Sequence, residues 1–211
     1  MTIGKIIIVL KKTKADKFEL SLAALKSLNK PVGYDVEVFI VEDELTGESR
    51  NSIQKERAAD YYIYITDSIV VLDNELLTRV ISVLMWKDVG AVGVLGTQTI
   101  AIDGLYANSK YPKGNYLCAK NNKFDLAEDV NLFTAEDDFD MVDVRLLYPE
   151  FIAVTSACEW VEGLLENTID VSFTCREITE KNQRIVVLNA GKPLVLLNDS
   201  DIHTVVSNNL A

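Results

Sequence analysis

The chain has 211 residues, of which 48% are hydrophobic and 25% are charged, and these fractions are typical of a globular protein. Its formal net charge of -11 disfavours nucleic acid as a partner, because an acidic surface repels the phosphate backbone. No apolar run reaches the roughly 20 residues that span a bilayer, so we expect no transmembrane segment. The cysteines have the spacing of neither a disulfide framework nor a metal site, and we therefore expect a cytoplasmic protein (Cys118, Cys158 and Cys175).

The first half of the chain alternates apolar runs, typical of buried strands, with segments whose apolar residues recur at helical spacing. This order predicts an α/β fold with a mostly parallel sheet and right-handed crossovers. The predicted strands are residues 5–10, 36–41, 61–65 and 89–95. The predicted helices are residues 18–28, 52–59 and 74–86, the last with Asp73 as its N-cap.

The second half begins with an irregular excursion over residues 97–140, in which a hairpin is possible. Regular structure then returns, and no repeat or low-complexity linker divides the chain. We therefore expect one domain over residues 1–211. The predicted elements are strands at 142–147, 151–154 and 184–188, a helical or mixed segment at 159–176, and a possible edge strand at 193–197.

Polar side chains follow the first three predicted strands at the point where each strand ends. In an open parallel sheet, ligands bind beyond these carboxyl ends, so the three loops should line one crevice. A carboxylate after the second strand suits a ribose or a base, and one after the third suits a hard cation held against a diphosphate. The alternative is that these residues only keep the loops solvated. They are Lys11, Lys12 and Thr13 after the first strand, Glu42 and Asp43 after the second, and Thr66, Asp67 and Ser68 after the third.

Other common catalytic and binding motifs find no support. The sequence contains neither GxGxxG nor a P-loop pattern, so a Rossmann dinucleotide site and a P-loop are not expected. Gly90, Gly93 and Gly96 lie in and around a predicted strand, where they favour close backbone packing over phosphate binding. His203 is the single histidine, which disfavours a zinc site or a Ser-His-Asp triad.

Four segments together resemble family 2 glycosyltransferases. Residues 34–43 resemble the second strand of that family, which ends in a Val-Asp-Asp type signature, and residues 58–68 resemble its third strand, which runs into a metal-binding Asp-x-Asp. Residues 74–96 are similar to the helix and strand that follow in the streptomycin-biosynthesis StrF-like branch. Residues 169–176 resemble the Asp-x-Asp-Phe-x-x-Arg segment of the same branch.

This resemblance implies a GT-A fold, with three layers and a mostly parallel central sheet, and transfer of a sugar from a nucleotide sugar to an unknown glycosyl acceptor. It also implies a divalent cation, Mn²⁺ or Mg²⁺. Asp67 would hold the cation, and the donor would be bound by residues of the first two loops. Asp170 or Asp143 would be the general base, Asp170 being preferred. The donor-binding candidates are Lys11, Thr13, Glu42 and Asp43.

The sequence also departs from the family pattern. Asp67 is the one carboxylate of its Asp-x-Asp, with Thr66 or Ser68 in place of the second, and Ser172 replaces an aspartate in the later segment. These losses motivate an alternative, a non-catalytic GT-A-like binding or assembly module. The two candidate bases have structural alternatives as well, because Asp143 could be an outward strand residue and Asp170 a helix cap.

Overall fold

The computed structural model of the protein describes residues 3–114, 116–120, 123–126, 140–163, 167–189 and 194–197. The helices are α1 (Ala15–Lys26), α2 (Gly47–Glu56), α3 (Leu76–Leu84) and α4 (Asn167–Glu180), with a 3₁₀ turn at Tyr106–Asn108. The strands are β1 (Gly4–Lys11), β2 (Tyr34–Val41), β3 (Tyr61–Thr66), β4 (Ile69–Val71), β5 (Val89–Gly93), β6 (Leu95–Thr97), β7 (Pro112–Gly114), β8 (Tyr116–Lys120), β9 (Lys123–Leu126), β10 (Asp140–Asp143), β11 (Leu146–Leu147), β12 (Phe151–Thr155), β13 (Arg184–Asn189) and β14 (Val195–Leu197).

A seven-stranded sheet in the order β10-β13-β5-β12-β3-β1-β2 forms the centre of the fold. Strands β1, β2, β3, β5 and β13 run in one direction, whereas β12 and β10 run in the other. The prediction of an α/β fold with a mostly parallel sheet is therefore confirmed. Strand β1 is buried along residues 6–10, as its continuous β-branched run predicts for a strand covered on both faces.

Helices cover both faces of this sheet, which makes three layers. Helix α1 leads from β1 outward to β2, and α2 leads back across β1 to β3, so right-handed crossovers place them on opposite faces. Helix α3 lies on the same face of the sheet as α1, because the N–H of Asn29 donates to the carbonyl of Asn74 at 3.0 Å. Helix α4 lies on the same face of the sheet as α2, because the N–H of Gly47 donates to Asp170.

Strand β12 runs against its neighbours, and this direction matters for the site. Phe151 pairs with Ile65, and Thr155 pairs with Tyr61. The beginning of β12 therefore lies where β3 ends, at the edge we call the carboxyl edge of the sheet. Two smaller sheets flank the central one, in the orders β11-β6-β7 and β4-β14-β8-β9.

Several predicted bounds are wrong for local reasons. Helix α2 begins at Gly47 instead of residue 52, because the Thr46 hydroxyl caps it by accepting the N–H of Ser49 at 3.3 Å. Asp73 does not occupy the N-cap of α3, which is Glu75; its carboxylate accepts the N–H of Glu75 at 3.2 Å and binds Arg79 at 3.0 Å. The strand predicted at 142–147 is two strands, β10 and β11, which belong to different sheets.

The glycines around β5 pack as predicted. A Cβ atom would lie 2.5 Å from the side chain of Ile178 at Gly90 and 2.6 Å from that of Leu147 at Gly93. A larger residue at either position would require one of these side chains to shift. Among the described residues, no helix is both long and apolar enough to cross a membrane.

Candidate functional site

Three loops meet at the carboxyl edge: the β1 loop (residues 12–14), the β2 loop (residues 42–46) and the β3 loop (residues 67–68). Asp67 joins the first to the third. Its Oδ2 accepts the backbone N–H groups of Thr13 at 2.7 Å and Lys14 at 2.9 Å, and its Oδ1 accepts the Thr13 hydroxyl. The N–H of Asp67 donates to the carbonyl of Lys11 at 3.0 Å. Asp67 is 0% exposed, so this carboxylate lies inside the junction of the loops.

Two ion pairs join the β1 loop to the β2 loop. The buried Lys11 donates to Glu44, and Lys12 donates to Glu42 at 2.9 Å. Asp43 is exposed between these two acids. It lines a cavity of about 400 Å³ between the end of β2 and α2, together with apolar residues that include Phe39.

A fourth element reaches the same edge. Glu150 precedes β12, and its carbonyl accepts the N–H of Thr66 at 3.0 Å. The hydroxyls of Thr66 and Ser68 both lie within hydrogen-bonding distance of Oε2 of Glu150, Ser68 at 3.0 Å, and they lie 2.5 Å from each other, so that one can donate to the other. Both hydroxyl residues are buried, whereas Glu150 is half-buried. A carboxylate therefore lies beside the two positions that flank Asp67.

Asp170 lies in the first turn of α4, against the beginning of α2. Its Oδ2 accepts the N–H of Gly47 at 2.6 Å, and the positive end of the α2 dipole favours an anion there. Its Oδ1 is buried and has no hydrogen-bond partner among the described residues. Burial raises the pKa of Asp170, while the Gly47 N–H and the guanidinium of Arg50 oppose that rise.

Arg50 is a fully buried cation behind this edge. Its guanidinium lies 4.4 Å from the ring centroid of Trp160 and 5.4 Å from that of Tyr64. Burial lowers the pKa of Arg50 to about 10, and the charges of Asp170 and Glu150 are among those that oppose this. Two carboxylates of the edge therefore act electrostatically on one buried guanidinium.

Asp143 lies elsewhere. It ends β10, four strands from β3, which corresponds to roughly 19 Å at about 4.8 Å per strand. Because β10 runs against β13, Asp143 is at the opposite edge, where it binds Arg184 at 2.8 Å. It lines a separate cavity of about 490 Å³ there. The structure does not bring Asp143 to the other candidates.

The remaining predicted site residues do share the carboxyl edge, and they are Lys11, Thr13, Glu42, Asp43, Asp67 and Asp170. The sequence analysis missed Glu150 and Arg50. Glu150 directly precedes a correctly predicted strand, but only the reversed direction of that strand brings it to the edge. Arg50 lies within residues 47–51, the first half of α2, which the predicted helix bounds left out.

A divalent cation does not fit at Asp67 as this side chain stands, because it is buried and both of its oxygens accept hydrogen bonds. Within the described ranges, no three His, Cys, Asp or Glu side chains are grouped to hold a metal. Magnesium, however, is commonly held by one or two carboxylates with substrate phosphates and waters. A single carboxylate at this edge, that of Glu150, fits such a site.

The solved structures that this chain resembles include GT-A glycosyltransferases. Mannosyltransferase PcManGT from Pyrobaculum calidifontis, in complex with GDP-Man and Mn²⁺, aligns at a TM-score of 0.53 and 10% identity over 93% of this chain and 57% of its own. S. aureus TarS 1–349 in complex with UDP-GlcNAc aligns at 0.54 and 12% identity, over 93% and 59%. The chain thus spans less than two thirds of either structure. At such identities the likeness establishes the GT-A fold alone.

The sequence itself establishes the family. The family model described as "Glycosyltransferase like family" matches residues 6–209, and the chain belongs to this family. No curated protein matched the sequence.

Proposed function

We propose that the protein binds a nucleotide sugar at the carboxyl edge and transfers the sugar to the hydroxyl of an acceptor. The observation that carries this proposal is the joining of the β1, β2 and β3 loops at one edge of the sheet by Asp67, Lys11 and Lys12. Family membership supports it, and so does the GT-A fold shared with complexes of GDP-Man and UDP-GlcNAc. These findings do not favour the non-catalytic binding or assembly module.

The β1 and β2 loops would bind the nucleoside diphosphate. Thr13 and Glu42 are exposed at this edge, and Asp43 lines the cavity beside α2. Their oxygens would accept hydrogen bonds from ribose hydroxyls or from the base. Lys11 and Lys12 would lose part of their pairing to Glu44 and Glu42 when they turn towards a phosphate.

The reaction would be a displacement at the anomeric carbon. The acceptor oxygen forms a bond to that carbon, the bond between carbon and the diphosphate oxygen breaks, and the acceptor proton passes to a general base. Asp170 is the base we propose, because its Oδ1 is unpaired within the described structure and its raised pKa favours proton uptake. A bound divalent cation would offset the charge on the departing diphosphate. Asp143 has no part in this scheme, since it lies at the other edge.

From the sequence, we also propose that the protein belongs to the StrF-like branch, that residues 1–211 form one domain, and that the protein is cytoplasmic. The unknown acceptor is left open.

Thermal denaturation with UDP-, GDP- and TDP-sugars tests the proposal directly. A ligand at one hundred times its Kd should stabilise the fold by about 2.7 kcal/mol. Hydrolysis of the stabilising donor should be measured with the same protein. If no nucleotide sugar shifts the transition, the proposed donor site is wrong.

A further inference from the structure

The two neighbours of Asp67 interact with a carboxylate that comes from another part of the chain. Thr66 and Ser68 flank Asp67 and are two positions apart, which is the spacing of the two acids in an Asp-x-Asp. Both direct their hydroxyls to Oε2 of Glu150, which is more than 80 residues further along the chain. The β3 loop therefore lies next to a carboxylate that directly precedes β12.

We propose that Glu150 is the residue that holds the divalent cation of the donor site. This inference rests on the proposed function, because the diphosphate of the nucleotide would supply further oxygen ligands. Asp67, which the motif would assign to the cation, instead positions the β1 loop through Thr13 and Lys14.

The hydrogen bonds around Glu150 are those expected of a ligand carboxylate. Carboxylates that bind metals are themselves held by outer hydrogen bonds, which fix their orientation. Thr66 and Ser68 are 3% and 7% exposed, so their hydroxyls interact with Glu150 and not with solvent. Within the described residues, Oε1 of Glu150 receives no hydrogen bond, and it is the oxygen left for a cation.

The surrounding charges predict that the cation binds together with the nucleotide. Glu150 is one carboxylate, and the guanidinium of Arg50 lies close enough to act on it, so the protein alone should hold a cation weakly. A diphosphate alone would meet an acidic edge at which Lys11 and Lys12 are already paired with Glu44 and Glu42. We therefore expect the cation and the nucleotide to bind well only when both are present.

The test is the affinity of UDP, GDP and TDP for the full chain, measured by calorimetry in Mn²⁺ and again in EDTA. For the nucleotide that binds, Mn²⁺ should raise the affinity of the unmodified protein by roughly 5–150-fold, the usual range for two ligands whose binding is coupled. Glu150→Gln should abolish this ratio, and its affinity in EDTA should not fall, because the change removes a negative charge from the edge. Asp143→Asn is the matched control, because Asp143 is an exposed acid of the opposite edge that pairs with Arg184, and it should keep the ratio.

Asp67→Asn tests whether the cation is held by Asp67 or by Glu150. Provided that its circular dichroism spectrum is that of the unmodified protein, it should keep the dependence on Mn²⁺. The inference is overturned if Glu150→Gln keeps the ratio, if Asp67→Asn alone loses it, or if the unmodified protein binds nucleotide equally well in Mn²⁺ and EDTA. If no nucleotide binds under either condition, the proposed function is wrong, and so is this inference, which rests on it.

Discussion

Asp67 Oδ2 accepts the backbone N–H of Thr13 at 2.7 Å, and Oδ1 of the same carboxylate accepts the hydroxyl of Thr13. The two residues are 54 positions apart in the chain. Together with the N–H of Lys14, these contacts give a buried carboxylate three donors from one loop. The position of the β1 loop over the crevice therefore depends on a residue of the β3 loop.

Asp67→Ala should destabilise the protein by roughly 1–3 kcal/mol, because it removes the acceptor of three donors in the loop junction. Asp67→Asn should also destabilise it, since an amide nitrogen cannot accept these hydrogen bonds. Urea denaturation measures both effects. Asp43→Asn is the matched control: Asp43 is exposed, and the change should stay within about 0.5 kcal/mol. An Asp67→Asn midpoint equal to that of the unmodified protein would show that the junction is not stabilising.

Asp170→Asn should reduce sugar transfer by roughly 10²–10⁴-fold, the usual contribution of a general base. It should also change how stability depends on pH. Because burial raises the pKa of Asp170, its protonated form stabilises the fold below the ordinary carboxyl pKa of about 3.9, and this contribution is lost as the pH rises through the folded-state pKa.

The Asn variant cannot ionise, so its stability relative to the unmodified protein should increase from pH 4 towards neutrality. Urea midpoints at several pH values measure this difference. A difference that is constant over this range, or that turns against the Asn variant, would contradict the burial cost assigned to Asp170.

Arg50→Gln should move the acidic limb of the pH–rate profile of transfer to higher pH. The guanidinium of Arg50 holds down the pKa of Asp170, so without it the base loses its proton only at higher pH. Carbon-13 NMR of the Asp170 carboxyl should report the same shift without turnover. Arg57→Gln is the control, because Arg57 is the C-cap of α2 and pairs with Glu37 at 2.7 Å. Equal profiles for Arg50→Gln and the unmodified protein would remove Arg50 from this role.

Thr66→Val should weaken the dependence of nucleotide binding on Mn²⁺ by roughly tenfold, the effect typical of losing an outer hydrogen bond to a ligand. Valine keeps the shape of the side chain and removes the hydroxyl that donates to Glu150. Thr13→Val is a suitable comparison, because it removes a hydroxyl that serves Asp67 instead. If Thr13→Val alone reduced the Mn²⁺ effect, the cation would depend on Asp67.

The sequence predicted where Asp67 lies but not what it contacts. The end of a β-branched strand can be recognised from local pattern, and that was enough to bring Asp67 and Glu42 to one edge. The direction of β12 is a tertiary property, so Glu150 could not be assigned to the same edge. The direction of β10 is also a tertiary property, and it places the candidate base Asp143 at the opposite edge.

The bounds of α2 show a second limit. Its first half is polar, with Glu48, Ser49 and Asn51, and has no apolar stripe to mark a helix. Tertiary packing holds it instead, because Arg50 lies against the ring of Trp160, a residue more than 100 positions away. Contacts of that range leave no signal in local periodicity.

The most direct test of the donor site is a titration of ¹⁵N-labelled protein with UDP, GDP and TDP in Mn²⁺, followed by the amide shifts in NMR spectra. A nucleotide bound at the carboxyl edge should move the amides of residues 12–14, 42–46 and 66–68. It should leave the amides of Asp143 and Arg184, in the cavity at the opposite edge, where they are. Shifts confined to that cavity, or no shifts with any of the three nucleotides, would contradict the account.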